Sequence, residues 1–190
     1  MSVRTVNVLF AILALIALAG VLAWTAAALA SRVGMPGIRD RLWNRTAEVA
    51  LPLAALVAVV ATLGSLYESE VAGFTPCALC WYQRIAMYPL AVILLIAAVR
   101  QDRRVRSYAL ALTLIGALIS AYHYQLEWFP EQASPACTLD APCTVVWVRE
   151  LGFVSIPFMA LCGFLAVAWL TWIAGQRPAQ DAVRANDRSP

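Results

Sequence analysis

Long apolar runs separated by short polar gaps make up most of the chain. The runs are continuously apolar, without the alternation of a membrane-spanning strand, and each approaches the roughly 20 residues that a helix needs to cross a bilayer. Helix is also the form that satisfies backbone groups where water is absent. Five transmembrane helices are therefore predicted: Val6–Ala30, Ala47–Tyr67, Trp81–Val99, Ser107–Leu126 and Phe153–Ala174. The first run is much longer than the roughly 7–15 apolar residues of a signal peptide, so we interpret it as a true helix.

Composition supports a membrane protein of one domain. The 190 residues are 62% hydrophobic and only 13% charged, whereas a soluble domain carries about 25% charged residues. The net charge of +3 is small and scattered, so nucleic acid is not indicated as a partner.

The polar gaps differ in sign and so predict a topology. Arginines dominate three segments, and these are expected to be cytoplasmic by the positive-inside rule: Ser31–Arg45, Arg100–Arg106 and the tail after Ala174. The gaps Glu68–Cys80 and Glu127–Gly152 are acidic and are therefore expected outside. We expect an extra N-terminal helix and basic loop over residues 1–46 and a four-helix bundle over 47–175. A disordered cytoplasmic tail over 176–190 would follow. The N-terminus and both acidic gaps would be external, and the C-terminus cytoplasmic.

Both acidic gaps contain a pair of cysteines. Cys77 and Cys80 follow Pro76 at the start of the third apolar run, so they are predicted in the first helical turn. Unpaired N–H groups at a helix N-terminus lower the pKa of a thiol. Arg84, one turn deeper, would favour a thiolate at Cys80 and could hold a polar group at the lipid boundary. The plainer interpretation is that Arg84 extends its charge to the membrane surface.

The second pair, Cys137 and Cys143, lies in a segment where Pro135 and Pro142 predict a turn-rich loop. Three interpretations of the four thiols stay open at this point. They form a redox relay, a zinc site built from four thiolates, or disulfides that only stabilise loops. A fifth cysteine, Cys162, lies alone inside the last helix and is expected to act as a small apolar residue.

His123 is the only histidine and lies near the external end of the fourth helix. An ionisable group at that depth is costly and often functional, and it could donate a hydrogen bond or a proton to a quinone oxygen. The alternative is an interfacial histidine paired with Glu127, one turn later.

These residues resemble the DsbB/BdbC disulfide bond formation proteins, especially the short BdbC-like branch. The stretches that carry the resemblance are the run from Cys77 to Leu90, the segment from Tyr122 to Glu127, the pair Cys137/Cys143, and Gly152 to Pro157. The resemblance covers about residues 47–174. It implies a membrane thiol oxidase of the bacterial inner membrane, built on a four-helix bundle with the cysteines at its external end.

The resemblance also implies roles for single residues. Cys137 and Cys143 would form the disulfide that oxidises a thioredoxin-fold thiol oxidase (DsbA/BdbD-like), with Cys137 as the attacked sulfur. Cys77 would exchange with this pair through Cys143. Cys80 would pass electrons to a membrane quinone, either ubiquinone or menaquinone. Arg84 would contact the quinone, His123 would lie near its ring, and no metal would be needed.

Two features depart from the family pattern. DsbB proper separates its second cysteine pair by a much longer segment, whereas five residues intervene here. The N-terminal helix is additional to the family's bundle, and the sequence provides no function for it.

Overall fold

A computed structural model describes residues 2–30, 36–132, 137 and 141–176, with side chains in the second helix described from residue 46. The predicted tail from residue 177 lies outside the described residues, as do residues 133–136 and 138–140 of the second cysteine loop. Five α-helices form the fold: α1 (Val3–Ala30), α2 (Pro36–Glu70), α3 (Ala78–Arg100), α4 (Arg106–Trp128) and α5 (Ile156–Ala174). Short 3-10 turns occupy Arg103–Val105 and Pro130–Gln132, and two short strands are β1 (Arg149–Glu150) and β2 (Val154–Ser155). In this described part, five helices are long and apolar enough to cross a membrane, which confirms the predicted all-α membrane fold.

Helix α2 is longer than predicted at both ends. The segment expected to be a loop up to Arg45 is helical from Pro36, a residue type favoured in the first helical turn because it has no N–H to leave unpaired. At the other end, α2 continues to Glu70. The predicted start of the polar gap at Glu68 is therefore wrong, and Glu68 is a buried helical residue that is 7% exposed. Glu127 was also expected in a gap, but it lies within α4 and is 9% exposed.

Helices α2 to α5 form a closed bundle: α2 packs against α3, α3 against α4, and α4 against α5, and α5 packs against α2. Small residues make this close packing possible. Ala50, Ala54 and Ala58 recur every four residues on α2, and none of them has exposed surface. Small residues at contacts let helix backbones approach in a membrane, where dispersion forces and interhelical hydrogen bonds supply the attraction.

Helix α1 packs outside the bundle, mainly against α5 and with few contacts to α2. Its buried positions include Ala11 and Ala14. The ring of Phe10 lies against Gly64, where a β-carbon would come within 2.9 Å of it. Because Phe10 is near the start of α1 and Gly64 near the end of α2, the N-terminus lies at the same end of the bundle as Cys77. This relative placement agrees with the charge-based topology.

The loop before α5 contains a hairpin that the sequence did not predict. Arg149 pairs with Ser155 and Glu150 with Val154, and the turn between them places Gly152 at φ 80°. Two-residue strands are too short to show the alternation by which a strand is recognised in sequence.

The contact between α4 and α5 depends on Gly116. A β-carbon at Gly116 would overlap the ring of Phe164, which is only 1% exposed and has no room to move away. We expect Gly116→Ala to destabilise the protein by about 1–3 kcal/mol, the usual effect of overpacking, in a thermal unfolding measurement in detergent. Gly20→Ala is the matched control, because a β-carbon there has nothing within 4 Å. Equal stability of the two variants would contradict this packing.

Candidate redox site

Cys77 is the N-cap of α3, as the sequence predicted from its place at the first turn. Its backbone is extended (φ −76°, ψ 174°), and its sulfur accepts a hydrogen bond from the backbone N–H of Cys80 at 3.3 Å. The sulfur of Cys80 lies 3.0 Å from that of Cys77. The Cys-x-x-Cys spacing therefore brings both sulfurs together over one helical turn, close enough to form a disulfide with each other.

The environment of Cys77 favours its thiolate. Its pKa is lowered from 9.0 to about 4, chiefly by the hydrogen bond from the thiol of Cys80 and further by the nearby His123, while burial opposes the shift. The sequence had suggested a thiolate at Cys80, on account of Arg84. In this geometry Cys77 is the acceptor instead, because the thiol of Cys80 lies 3.0 Å from its sulfur and the N-cap position adds the backbone N–H of Cys80.

The second pair forms a disulfide between Cys137 and Cys143, with their α-carbons 5.5 Å apart. Cys143 is 1% exposed and packs in a small apolar cluster with Cys77, Leu79 and Leu126. Cys80 and Cys137 pack against the same cluster. The two pairs are thus neighbours at one end of the bundle. A zinc site of four thiolates does not fit this arrangement, since two of the sulfurs are bonded to each other.

His123 connects the two pairs. Gln83 Nε2 donates to His123 Nδ1 at 3.1 Å, so the proton of the neutral ring lies on Nε2. That nitrogen donates to the carbonyl of Cys143 at 3.1 Å and lies 3.7 Å from the sulfur of Cys77. The hydrogen-bond partners of His123 are therefore Gln83 and the carbonyl of Cys143, and not Glu127 as one interpretation proposed.

Three of these side chains also have the chemistry of a metal site. Ligand atoms of Cys77, Cys80 and His123 all lie within 4.8 Å of one another. Thiolate and imidazole suit zinc and other soft cations.

Arg84 is held inside the protein, and so does not reach out to the membrane surface. It is 8% exposed, and it donates from Nε to the hydroxyl of Ser65 at 3.0 Å and from Nη2 to the Ser65 carbonyl at 2.9 Å. Its guanidinium also lies 5.1 Å from the ring centre of Trp81. These contacts fix the cation one turn below Cys80, between α2 and α3.

A cavity of about 630 Å³ begins at this point and extends between α1, α2, α3 and α5. Cys80, Gln83 and Arg84 line it at the cysteine end, where Phe74 and Trp147 stack with ring centres 5.2 Å apart. Apolar side chains line most of the remainder. Among the described residues, Cys77 and His123 do not line this cavity. Its shape and lining suit an apolar molecule with a polar head.

Glu68, expected in a polar gap because it is acidic, is a cavity residue. It lines the cavity near Arg84, and neither of its carboxylate oxygens has a hydrogen-bond partner among the described residues. Three other residues at this end of the cavity were also not predicted as site residues from the sequence: Ser65, Gln83 and Trp147. The spacing of Gly64, Ser65 and Glu68 on one face of α2 was the available signal, since residues three and four apart share a helical face.

The fold and this site define a membrane protein of the thiol–disulfide oxidoreductase class. Comparison with protein families agrees, because residues 47–174 match the family "Disulfide bond formation protein DsbB". The chain belongs to this family, as its motifs indicated, and is a multi-pass bacterial membrane protein. The match begins inside α2 and leaves α1 outside.

Several Bacillus proteins are similar over this region. "Probable disulfide formation protein C 1" of Bacillus anthracis is 47% identical over 127 residues, which cover 66% of this chain and 91% of that protein. "Disulfide bond formation protein C" of Bacillus subtilis (strain 168) is 46% identical over 113 residues, covering 59% and 82%. No solved structure matches the chain.

The pKa of Cys77 makes a prediction for the reduced protein. Because that pKa is lowered well below its ordinary value, chiefly by the thiol of Cys80, Cys77 stays a thiolate at pH values where an ordinary thiol is protonated. Its alkylation rate, followed at peptide level by mass spectrometry, should therefore keep a plateau from pH 8 into the acidic range. A thiol with the ordinary pKa of about 8.5 would instead slow about tenfold per pH unit over this range.

Cys80→Ala removes the hydrogen bond that contributes most to the lowered pKa. The plateau should then end at a higher pH in this variant. Cys162→Ala is the control, because Cys162 is buried in α5 away from the cluster, and it should leave the profile unchanged. A steep decline with falling pH in the unmodified protein would contradict the assignment.

Proposed function

We propose that this protein reoxidises an extracytoplasmic thioredoxin-fold thiol oxidase and transfers the electrons, through its two cysteine pairs, to a membrane quinone. Cys77, Cys80, Cys137 and Cys143 are the catalytic residues of this proposal. Arg84 is the quinone-binding residue, and His123 is assigned to positioning the cysteines. The family membership supports the chemistry, and the geometry of the site supports the division of roles.

One observation carries the proposal: the two sulfurs of the Cys-x-x-Cys pair have different surroundings. Cys77 is a buried member of the cluster that contains Cys143 and does not line the cavity, whereas Cys80 packs against the edge of that cluster and also lines the cavity. A relay between a protein partner and a membrane oxidant requires such a pair, because it joins a loop disulfide to a lipid-accessible cavity.

At the partner end, burial distinguishes the two sulfurs of the loop disulfide. Cys137 is half-buried and Cys143 is 1% exposed, so a thiolate of the partner can approach Cys137 more easily. Its attack forms a mixed disulfide at Cys137 and releases Cys143 as a thiolate. The partner's second thiol then displaces Cys137, which leaves the partner oxidised and the loop pair reduced.

Inside the protein, the loop pair is reoxidised by the Cys77–Cys80 disulfide. Cys143 attacks Cys77, which forms an inter-loop disulfide and releases Cys80, and Cys137 then displaces Cys77. The net change is a restored Cys137–Cys143 disulfide and a reduced helix pair. The hydrogen bond from His123 to the Cys143 carbonyl holds the attacking residue beside Cys77.

At the cavity end, the residues fit a quinone head. Arg84 and Gln83 supply N–H donors beside Cys80, and Ser65 fixes the guanidinium. A quinone bound here supplies the sink for two electrons and two protons when Cys77 and Cys80 close to a disulfide. The polar residues of the chain hold the head near Cys80, and the apolar lining keeps water away.

The positive-inside pattern supports the orientation that we propose, with the N-terminus and both cysteine pairs outside and the C-terminus in the cytoplasm. We also propose three parts: residues 1–46 as an additional helix and basic segment, 47–175 as the catalytic bundle, and 176–190 as a cytoplasmic tail.

A metal-binding protein is the second candidate, favoured by the cluster of Cys77, Cys80 and His123. The two functions differ in a simple measurement. A metal-binding protein would retain about one equivalent of zinc after purification. Adding quinone would not enable it to oxidise a thioredoxin-fold partner.

The first test of the proposed function is turnover with purified components. The protein should oxidise a reduced thioredoxin-fold partner only when quinone is added. Cys80→Ser should lower turnover at least about a thousandfold, because the sulfur that faces the cavity is lost, while membrane insertion is retained. Cys162→Ser is the control and should keep full activity. Undiminished turnover by Cys80→Ser would eliminate the mechanism.

The second test identifies the attacked sulfur. A partner that keeps only its attacking cysteine should be trapped as a mixed disulfide with the Cys77→Ser variant, which retains the loop disulfide. Peptide mapping should find the partner joined to Cys137, the more accessible sulfur. A partner joined mainly to Cys143 would reverse the proposed order of exchange.

A further inference from the structure

Helix α1 lies outside the family match, which begins at residue 47, yet it forms one wall of the cavity described above. Its lining residues include Leu13, Ala14, Ile16, Ala17, Gly20 and Trp24. Their spacing of three and four residues places them along one face of the helix. An additional helix therefore contributes a continuous apolar strip to the cavity that contains Cys80.

The cavity is long in the direction of the bundle axis. On α2 it is lined from Thr46 to Glu68, a distance of roughly 33 Å at about 1.5 Å per helical residue. This is close to the hydrocarbon thickness of a bilayer, about 30 Å. With a volume of about 630 Å³ along such a length, the cavity is a narrow groove.

The groove is open towards lipid on one side. Helix α1 packs mainly against α5 and makes few contacts with α2. At the cysteine end, the ring of Phe10 packs against Gly64 and closes the gap between α1 and α2. Below that contact, lining residues on both helices remain accessible: Ile16 is 62% exposed and Leu56 is 57% exposed. An apolar chain can therefore enter sideways from the bilayer, between α1 and α2.

Polar groups are concentrated where the groove reaches the cysteines. Ser65, Glu68 and Arg84 lie there with Cys80, and the groove towards Trp24 is predominantly apolar. Glu68 and Arg84 carry opposite formal charges, so this end has no net charge and suits a neutral polar head. These observations favour a quinone with a long apolar tail.

We propose that α1, with α2 and α5, forms a binding groove for the isoprenoid tail of the quinone, and that the tail enters through the gap between α1 and α2. This inference rests on the proposed quinone-linked function. It assigns a role to the helix that the sequence left without one: α1 makes the protein selective for long-tailed quinones, while the head is held by the bundle alone.

The first experiment fills the groove from α1. Gly20→Phe is suitable because a β-carbon at Gly20 has nothing within 4 Å, and Ala17→Phe fills the same strip one turn away. With a long-tailed quinone, KM should rise about tenfold, which corresponds to about 1.4 kcal/mol of tail binding. With a tail-less quinone of the same head, KM and kcat should not change. Leu22→Phe is the control, because Leu22 is 58% exposed and is not a lining residue.

The second experiment locates the tail without measuring activity. A quinone with a photoreactive group at the end of its tail is cross-linked to the unmodified protein in vesicles, and labelled peptides are mapped by mass spectrometry. Labels should fall on α1 between Leu13 and Trp24, and unlabelled long-tailed quinone should compete for them. Labelling of α1 that unlabelled long-tailed quinone does not reduce would overturn the proposal.

The outcomes separate this inference from the function on which it rests. Suppose that the unmodified protein oxidises its partner with both quinones, but that no label reaches α1. If Gly20→Phe and Ala17→Phe then also leave the KM for the long-tailed quinone unchanged, only the role of α1 is eliminated. If the unmodified protein shows no quinone-dependent oxidation at all, the proposed function itself fails.

Discussion

The position of Cys77 as the N-cap of α3 is the constraint on which the rest of the site depends. An N-cap residue is not yet helical, so its side chain turns back over the first turn and accepts from the N–H of Cys80. Cys80, three residues later, is already in the helix and faces a different neighbour. One turn of helix thus places two sulfurs 3.0 Å apart with one directed to the loop cluster and the other to the cavity. A pair within a loop would lack this fixed division.

The membrane determines how the polar residues around that turn are held. Arg84 and His123 are both nearly inaccessible, and a buried polar group without partners is costly in such surroundings. Each is satisfied by an adjacent element: Arg84 by Ser65 of α2, and His123 by Gln83 of α3 and the loop carbonyl of Cys143. The same bonds that satisfy these groups also tie α2, α3, α4 and the cysteine loop together at one level. Stability and site geometry therefore have a common origin here.

The sequence was informative wherever a single physical signal dominated. Continuous apolar runs predicted all five helices, and the proline before Cys77 predicted the start of α3. The sequence misled where a charged residue is buried inside a helix. Glu68 and Glu127 were assigned to gaps because they are acidic, but the backbone continues its helical hydrogen bonds through both of them. The partners of His123 were also beyond prediction, since Gln83 and Cys143 are 40 and 20 residues away from it and no local pattern connects them.

The four cysteines of the site differ in how accessible they are. From the loop inward, Cys137 is half-buried, Cys143 is 1% exposed and Cys77 is 5% exposed. Cys80 then borders the apolar cavity. Cys143 and Cys77 are thus inaccessible, whereas Cys137 and Cys80 are partly exposed, Cys137 in the loop and Cys80 beside the cavity. Disulfide exchange needs a thiolate that reaches the attacked sulfur, so under the proposed function a soluble partner would attack Cys137 and not the buried Cys143 or Cys77. In the proposed relay, electrons from the partner would then pass through Cys143, whose carbonyl accepts from the same His123 nitrogen that lies 3.7 Å from the sulfur of Cys77.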